Sequence, residues 1–363
     1  ITCDQLIQFS AKKKCAPPLG DSCVEIRQCQ FFVDLLKNSP VPRSRQVIRI
    51  IRAHHCDFEG NSPKVCCFMP KIQVTQSASD TEGLSNDVTY HKNINLLPVG
   101  KCGYINNDFR ITNGYKTLIL EFPWMALIAY KGKGGIDLGC GGTLINERYV
   151  LTAAHCIRNL ELDFVRLGEH NIETEHDCNF MTGVCAPPPQ DIKVEKVIVH
   201  SEYLPKSYKN DIALIRLANK TNFEQANIQP LCLPVGNNAK LNLQRKFAII
   251  SGWGVTENGF KSLELLKSHI PIISNNECKQ VYEEHSTIGP EQICAGGFRG
   301  RDSCGGDSGG PLILVGRIKG TVRYIQYGIV SYGPKHCGTE GQPGVYTRVT
   351  HYMKWILDNL EPS

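Results

Sequence analysis

The strongest constraint on this chain is where its cysteines fall. Of its 17 cysteines, seven (Cys3, Cys15, Cys23, Cys29, Cys56, Cys66 and Cys67) crowd the first 67 residues. The other ten are spread over the remaining chain. A reduced compartment does not sustain so many thiols, so most are expected to be paired and the protein to be secreted into an oxidising, extracellular space. A dense cluster at one end is what a small domain needs when its own apolar core is too poor to hold it folded. Residues 1–67 therefore read as a stapled N-terminal domain, with its cysteine core at 15–67.

The rest of the chain reads differently. Residues 68–101 hold no cysteine before Cys102 and are rich in polar residues (QVTQSASDTEGLSND), a composition that buries too little apolar surface to fold; residues 68–101 are expected to be a linker, and 68–110 the linker with the end of the light chain. Beyond it come short apolar runs broken by Gly, Asn and Pro: FPWMALIAY, CGGTLIN, YVLTAAHC, KVIVH, IALIRL, FAIISGWG, YGIVSYG and PGVYTRV. Their spacing predicts a mainly β, antiparallel barrel or sandwich rather than strands alternating with helices. Met353, Ile356, Leu357 and Leu360 fall at helical spacing and predict a closing amphipathic helix over 350–360. A length of 363 residues suits two unequal domains.

Charge and hydropathy exclude some roles. The net charge is +5, and residues 1–70 supply most of it, with ten Lys or Arg against six Asp or Glu. Lys12, Lys13 and Lys14 and the run Arg43, Arg45, Arg49 and Arg52 read as a solvated face, with the last three on one side of a helix backed by Val47, Ile48, Ile50 and Ile51. Nothing here points to nucleic acid, and no stretch is long and apolar enough for a membrane span. The start, ITCDQLIQFS, lacks the charged and apolar regions of a signal peptide, so the sequence reads as already trimmed. Asn219, in Asn219-Lys220-Thr221, is a candidate glycosylation site.

Chemistry concentrates in Gly305-Gly306-Asp307-Ser308-Gly309-Gly310-Pro311. Glycines around one serine permit backbone torsions and close approach that side chains would block. Such a loop exposes the hydroxyl and aims the amides of Gly306 and Ser308 at one point, an oxyanion hole in which one donor is worth about 3 kcal/mol. A serine hydroxyl is a poor nucleophile near neutral pH. It needs a base, and the base needs an orienting carboxylate. His155 in TAAHC and Asp211 in NDIAL are the candidates.

TAAHC, NDIAL and GDSGGPL, in this order, resemble the chymotrypsin–trypsin family of serine proteases over residues 111–363, the type case of the Ser-His-Asp triad. The resemblance implies two six-stranded β-barrels with a C-terminal helix and the site between the barrels. It implies His155 as base then acid, Asp211 fixing its tautomer, and Ser308 as nucleophile. Asp302 stands where trypsin-like members place the carboxylate at the floor of the S1 pocket. Gly333 and Gly344 match the glycines that keep its walls open, so cleavage after Arg or Lys is expected. Tyr332 stands where Trp is usual, and Gly305 where a longer side chain often sits. Arg110-Ile111-Thr112-Asn113-Gly114 resembles the family's activation site. A cut after Arg110 would free the amine of Ile111 to pair with Asp307, and the unbroken chain reads as a zymogen.

The same resemblance implies the pairs Cys140–Cys156, Cys278–Cys294, Cys304–Cys337 and the tether Cys102–Cys232, leaving Cys178 with Cys185 in an unusual insertion. Glu169 and Asp177 by their side chains, and Asn171 and Thr174 by their carbonyls, look like the family's calcium loop. The N-terminal cysteines resemble the clip domain of arthropod immune and developmental proteases, implying Cys15–Cys66, Cys23–Cys56 and Cys29–Cys67. Spacing alone allows other connectivities, and Cys3 has no assigned partner. A clip domain implies haemolymph as the compartment, and an upstream protease that cuts after Arg110. It implies a downstream zymogen or procytokine as substrate, such as prophenoloxidase or a Toll-ligand precursor. A clip-domain protease homologue and a serpin are expected as cofactor and inhibitor. The competing reading is a catalytically silent homologue that acts as a binding cofactor.

Overall fold

The computed structural model describes residues 15, 22–29, 32, 36, 51, 54–59, 62–67, 88–105, 116–132, 135–179, 183–256, 259–283, 287–297, 303–334 and 337–362. Two units emerge, Ile1–Glu82 and Gly83–Ser363. In the first, β1 (Ser22–Glu25), β2 (His55–Glu59) and β3 (Ser62–Cys67) form an antiparallel sheet with β3 in the centre. Ile26, Phe32, Ile51 and Val65 are buried against Cys29 and Cys67. So small a core gains little from burial and relies on cross-links. It has three, Cys15–Cys66, Cys23–Cys56 and Cys29–Cys67, the connectivity the clip resemblance implies. Ile51 is buried, while Arg43, Arg45, Arg49, Arg52, Cys3 and Lys12 to Lys14 lie outside the described residues.

The second unit is built on two closed six-stranded barrels, the mainly β fold expected. The first contains β4 (Met125–Gly132), β5 (Gly135–Leu144), β6 (Tyr149–Thr152) and β7 (Leu162–Leu167), followed after the short hairpin β8 (Cys178–Asn179) and β9 (Val184–Cys185) by β10 (Gln190–Val199) and β11 (Ala213–Leu217). Trp124, Ile128, Val150, Val165 and Ile215 fill its core. The second contains β12 (Phe247–Gly252), β13 (Leu266–Ile273), β14 (Gln292–Ala295), β15 (Pro311–Ile318), β16 (Thr321–Tyr332) and β17 (Gly344–Arg348). Ile250, Ile270, Ile293, Leu312, Tyr327 and Tyr346 fill that one. Closure removes the unpaired edges that an open sheet would leave. Helix α1 (Asn275–Tyr282) lies between β13 and β14 and opens on a capping box, with Ser274 and Glu277 bonding each other's backbone amides.

The closing helix α2 spans Val349–Asp358. Its apolar positions Met353, Ile356 and Leu357 are fully buried against Ile145, Tyr149, Leu151 and Leu214 of the first barrel. Each such side chain is worth about 1.5–3 kcal/mol of transfer free energy. The helix C-terminus leaves carbonyls without intrahelical donors. Asn93 meets one of them and a carbonyl just past the helix, its Nδ2 donating to Leu357 O at 2.8 Å and Leu360 O at 3.0 Å.

That cap corrects the expectation of an unfolded linker reaching to residue 101. Residues 88–105 pack on the second unit, with Val88 and Leu97 buried and a turn of 3-10 helix at Ile94–Leu96. His91 Nε2 meets Asp358 Oδ1 at 2.9 Å, and Asn146 donates to Leu96 O. Few apolar residues suffice there because the surface they cover is supplied by α2 and the first barrel. A second cross-element tie joins Lys267 of β13 to Glu121, Nζ to Oε1 at 2.5 Å, with both side chains largely buried.

Candidate active site

Each of the three candidate catalytic residues sits at an element end. His155 lies in the 3-10 turn Ala154–Cys156 that follows β6, and Asp211 lies two residues before the start of β11. The register sets Ala213 of β11 opposite Thr152 of β6, which brings the two residues together. Asp211 is fully buried. Its Oδ2 meets His155 Nδ1 at 2.8 Å, and its Oδ1 accepts from the His155 backbone N–H at 2.9 Å. The carboxylate thus fixes both the imidazole and the backbone that carries it, leaving Nε2 to exchange protons. That nitrogen lies 3.7 Å from Cys156 Sγ. Cys156 is bonded to Cys140, so neither sulfur is a metal ligand.

Two residues that the sequence reading passed over complete the support of Asp211. Ser331 Oγ, at the end of β16, donates to Asp211 Oδ2 at 2.5 Å, and Thr347 Oγ1 of β17 donates to Asp211 O at 2.7 Å. Both come from the second barrel, so the site is built across the barrels. A lone Ser in YGIVSYG carries no signal of this, because its partner lies 120 residues away.

The Ser308 loop is held by its own backbone. Gly310 N–H donates to Asp307 O, Gly309 N–H to Val330 O, and Gly141 N–H of β5 to Ser308 O, all within 2.9 Å. Gly306 has φ +101° and Gly309 φ +79°, left-handed torsions that glycine alone adopts at little cost. A Cβ on Gly309 would also sit 2.2 Å from Thr152 Oγ1. Among the described residues no backbone acceptor takes the N–H of Gly306 or of Ser308, the two candidate oxyanion donors. No hydrogen bond joins Ser308 Oγ to His155 among the described residues, so the Asp–His half of the triad is closed and the His–Ser half is open.

Asp307 points away from Ser308, into the second barrel. Its Oδ1 accepts from Gly254 N–H and its Oδ2 from Cys304 N–H, both at 2.9 Å. A Cβ on Gly252 or Gly254 would fall within 2.5 Å of the carboxylate, so these glycines form a cradle shaped to it. The residue is partly exposed, but its carboxyl end is enclosed. Burial pushes the carboxyl up to about 6 from 3.8, against the lowering effect of the two amides. No cation pairs with it among the described residues. Arg110 and Ile111 lie outside them.

At the pocket beside Ser308, a Cβ on Gly333 would meet Gly344 Cα at 3.6 Å, so the two glycines face each other. Ser303 Oγ and Tyr346 OH are 3.0 Å apart, and Cys304–Cys337 braces the rim. Asp302 lies outside the described residues. Tyr332 joins an aromatic row: its ring centroid is 5.0 Å from Tyr208, which stands edge-on to His155 at 5.7 Å, and 5.9 Å from Tyr282.

The acidic loop after β7 places Glu169 and Asp177 together as buried carboxylates. Burial raises the Glu169 carboxyl and the Asp177 charge adds to this, offset by the His170 amide and Arg166. Asp177 accepts from Asn171 N–H at 3.1 Å and from Thr174 Oγ1 at 2.5 Å, and Thr174 N–H closes the turn on Asn171 O. Arg166 reaches Glu169 at 3.4 Å but bonds Asp191 more closely, so the two enclosed carboxylates are an oxygen-rich set of the kind that suits a hard divalent cation. The remaining expected cysteine pairs are formed: Cys102–Cys232, Cys178–Cys185 and Cys278–Cys294. Asn219 is exposed, while Thr221 of the same sequon is buried with its hydroxyl on Glu147 O.

Comparison with known proteins agrees with this architecture. The trypsin family model matches residues 111–356, and the model of the regulatory CLIP domain of proteinases matches 21–67. The CLIP domain-containing serine protease HP8 of Bombyx mori is 43% identical over 94% of this chain and 92% of its own length. Phenoloxidase-activating factor 1 of Holotrichia diomphalia is 37% identical over 98% and 96%, and the Spaetzle-processing enzyme of Drosophila melanogaster 36% over 96% and 92%. Among solved structures, the Drosophila Grass clip serine protease of the Toll pathway aligns with a TM-score of 0.65 at 31% identity, covering 96% of this chain and 97% of that one.

Proposed function

This chain belongs to the CLIP-domain serine proteases of the trypsin family, and on that footing we propose that it is the zymogen of a secreted endopeptidase that cuts after Arg or Lys. The observation that carries the reading is the closed Asp211–His155 pair beside a Ser308 loop whose two candidate oxyanion donors have no backbone acceptor among the described residues. In the working enzyme His155 Nε2 takes the Ser308 proton as the hydroxyl attacks, the amides of Gly306 and Ser308 hold the oxyanion, and His155 returns the proton to the leaving amine. Asp302 would select the cation of the residue before the scissile bond, with Gly333 and Gly344 leaving room for its side chain.

The open His–Ser half and the cationless Asp307 fit a latent form. Cleavage after Arg110 would free the Ile111 amine, a cation able to satisfy the carboxyl enclosed by Gly252 and Gly254. Calcium at Glu169, Asn171, Thr174 and Asp177 would neutralise two buried carboxylates and brace that loop. Glycosylation at Asn219 fits its exposure. The substrate is a zymogen or procytokine in an extracellular immune cascade, of the kind that the names of the phenoloxidase-activating and Spaetzle-processing relatives describe. An upstream protease, a protease-homologue cofactor and a serpin would be the remaining partners.

The silent-homologue reading is disfavoured because nucleophile, base and carboxylate are all present. After cleavage at Arg110, the two-chain protein should label with a fluorophosphonate at Ser308 and hydrolyse an Arg amide. Failure of both would establish the silent homologue. A panel of purified zymogens and procytokines then tests the cascade, since indiscriminate digestion would indicate a broad-specificity protease.

A further inference from the structure

The described flanks 254–256 and 259–262 pair as the two arms of a hairpin. Val255 and Lys261 pair across it, Thr256 N–H donates to Phe260 O, and Ser262 N–H donates to Gly254 O. Val255 N–H donates to Gly305 O at 2.7 Å, fastening the hairpin to the Ser308 loop. From this base Lys261 reaches across to β5, its Nζ donating to Leu138 O at 3.1 Å. The side chain passes the oxyanion loop closely enough that its Cε would lie 3.7 Å from a Cβ on Gly306. Lys261 is exposed and forms no ion pair among the described residues. Asp137, the neighbour of Leu138, stands opposite Tyr130 in the β4–β5 ladder, and successive strand residues face opposite ways.

The chemistry assigns this position to one half of the substrate. The leaving amine takes its proton from His155 Nε2, which borders the Cys140–Cys156 bridge. Cys140 is two residues from Leu138 on β5, and Gly141 of the same strand bonds Ser308 O. The departing segment therefore leaves over β5, past the Lys261 ammonium. Phe260 and Ile136, on the two elements that Lys261 joins, are 77% and 60% exposed.

We propose that Lys261 is a specificity residue for the leaving segment, favouring substrates that carry an acidic residue within the first three positions after the scissile bond. The proposal rests on the proteolytic reading above, and the test separates the two. Protein cleaved after Arg110 is first labelled with a fluorophosphonate. Paired quenched peptides identical up to the scissile Arg, with Glu or Lys at the second position after it, are then compared. The Glu peptide should be favoured about two- to fivefold in kcat/KM at low salt, the scale of a solvent-exposed charge pair, and less at high salt. Lys261→Met should level the ratio, Lys261→Glu should invert it, and Lys261→Arg should keep it. Intact labelling with a ratio that Lys261→Met leaves unmoved would overturn this assignment alone. Absent labelling would overturn the proteolytic reading and the assignment with it.

Discussion

Asp307→Asn in the uncleaved chain offers the sharpest test of the proposed latent state. The Asp307 carboxyl lies against Gly252 and Gly254, accepts two backbone amides and has no cation among the described residues, and burial raises it from 3.8 to about 6. The folded state thus holds the proton more tightly than the unfolded chain. Stability is lost as pH rises from about 4 to about 6, is constant above that window, and is fully restored below it. A displacement from 3.8 to about 6 corresponds to about 3 kcal/mol, an upper figure because the residue retains some solvent access. Asn matches the carboxyl in shape but does not titrate. One of its two terminal atoms cannot accept from an amide, a defect that the protonated carboxyl shares. The Asn variant should therefore equal the wild type near pH 4 and exceed it by about 1–3 kcal/mol at pH 7.5. For a unit of this size that is roughly 3–10 °C in Tm. Thermal melts of both proteins from pH 4 to 8, with chain integrity checked on gels, measure the difference curve. Parallel melting curves across that range would refute the enclosed, cationless carboxyl. After cleavage at Arg110 the wild-type advantage should return at neutral pH, because Ile111 then supplies the cation.

Other consequences are simpler to read. Ser331→Ala removes the 2.5 Å bond to Asp211 and should lower kcat roughly tenfold while leaving KM within about twofold; partial recovery by Ser331→Thr would mark a positioning residue, and an unchanged kcat would remove it. Asp302→Ser should abolish the preference for Arg and Lys while fluorophosphonate labelling persists, and an unchanged preference would place the S1 carboxylate elsewhere. EDTA should lower Tm or speed proteolysis within residues 169–177, and Glu169→Gln should remove that response to calcium. A wild-type melt indifferent to EDTA and to micromolar calcium would take the ion out of the loop.

What was legible in the sequence had local causes. The GDSGGPL loop could be read because its glycines answer demands made within a few residues, such as the φ of +101° at Gly306 and the crowding at Gly309. The barrel strands could be read because apolar runs broken by turn residues have few other ways to fold. What escaped had its partner far along the chain. Ser331 waits 120 residues for Asp211, Lys267 146 for Glu121, and Asn93 more than 260 for the carbonyls it caps. Composition misread residues 88–101 for the same reason, since it counts what a segment can bury by itself and not the surface offered to it. Gly252 and Gly254 make the point most directly. They are as necessary as the glycines around Ser308, yet nothing near them says so, because the side chain that excludes a Cβ there belongs to Asp307, 53 residues beyond Gly254. The proposed latent switch is therefore divided between two kinds of information. A cleavage motif and an acid beside the nucleophile are visible in one dimension, while the cradle that leaves that acid in need of a cation exists only once the second barrel has closed.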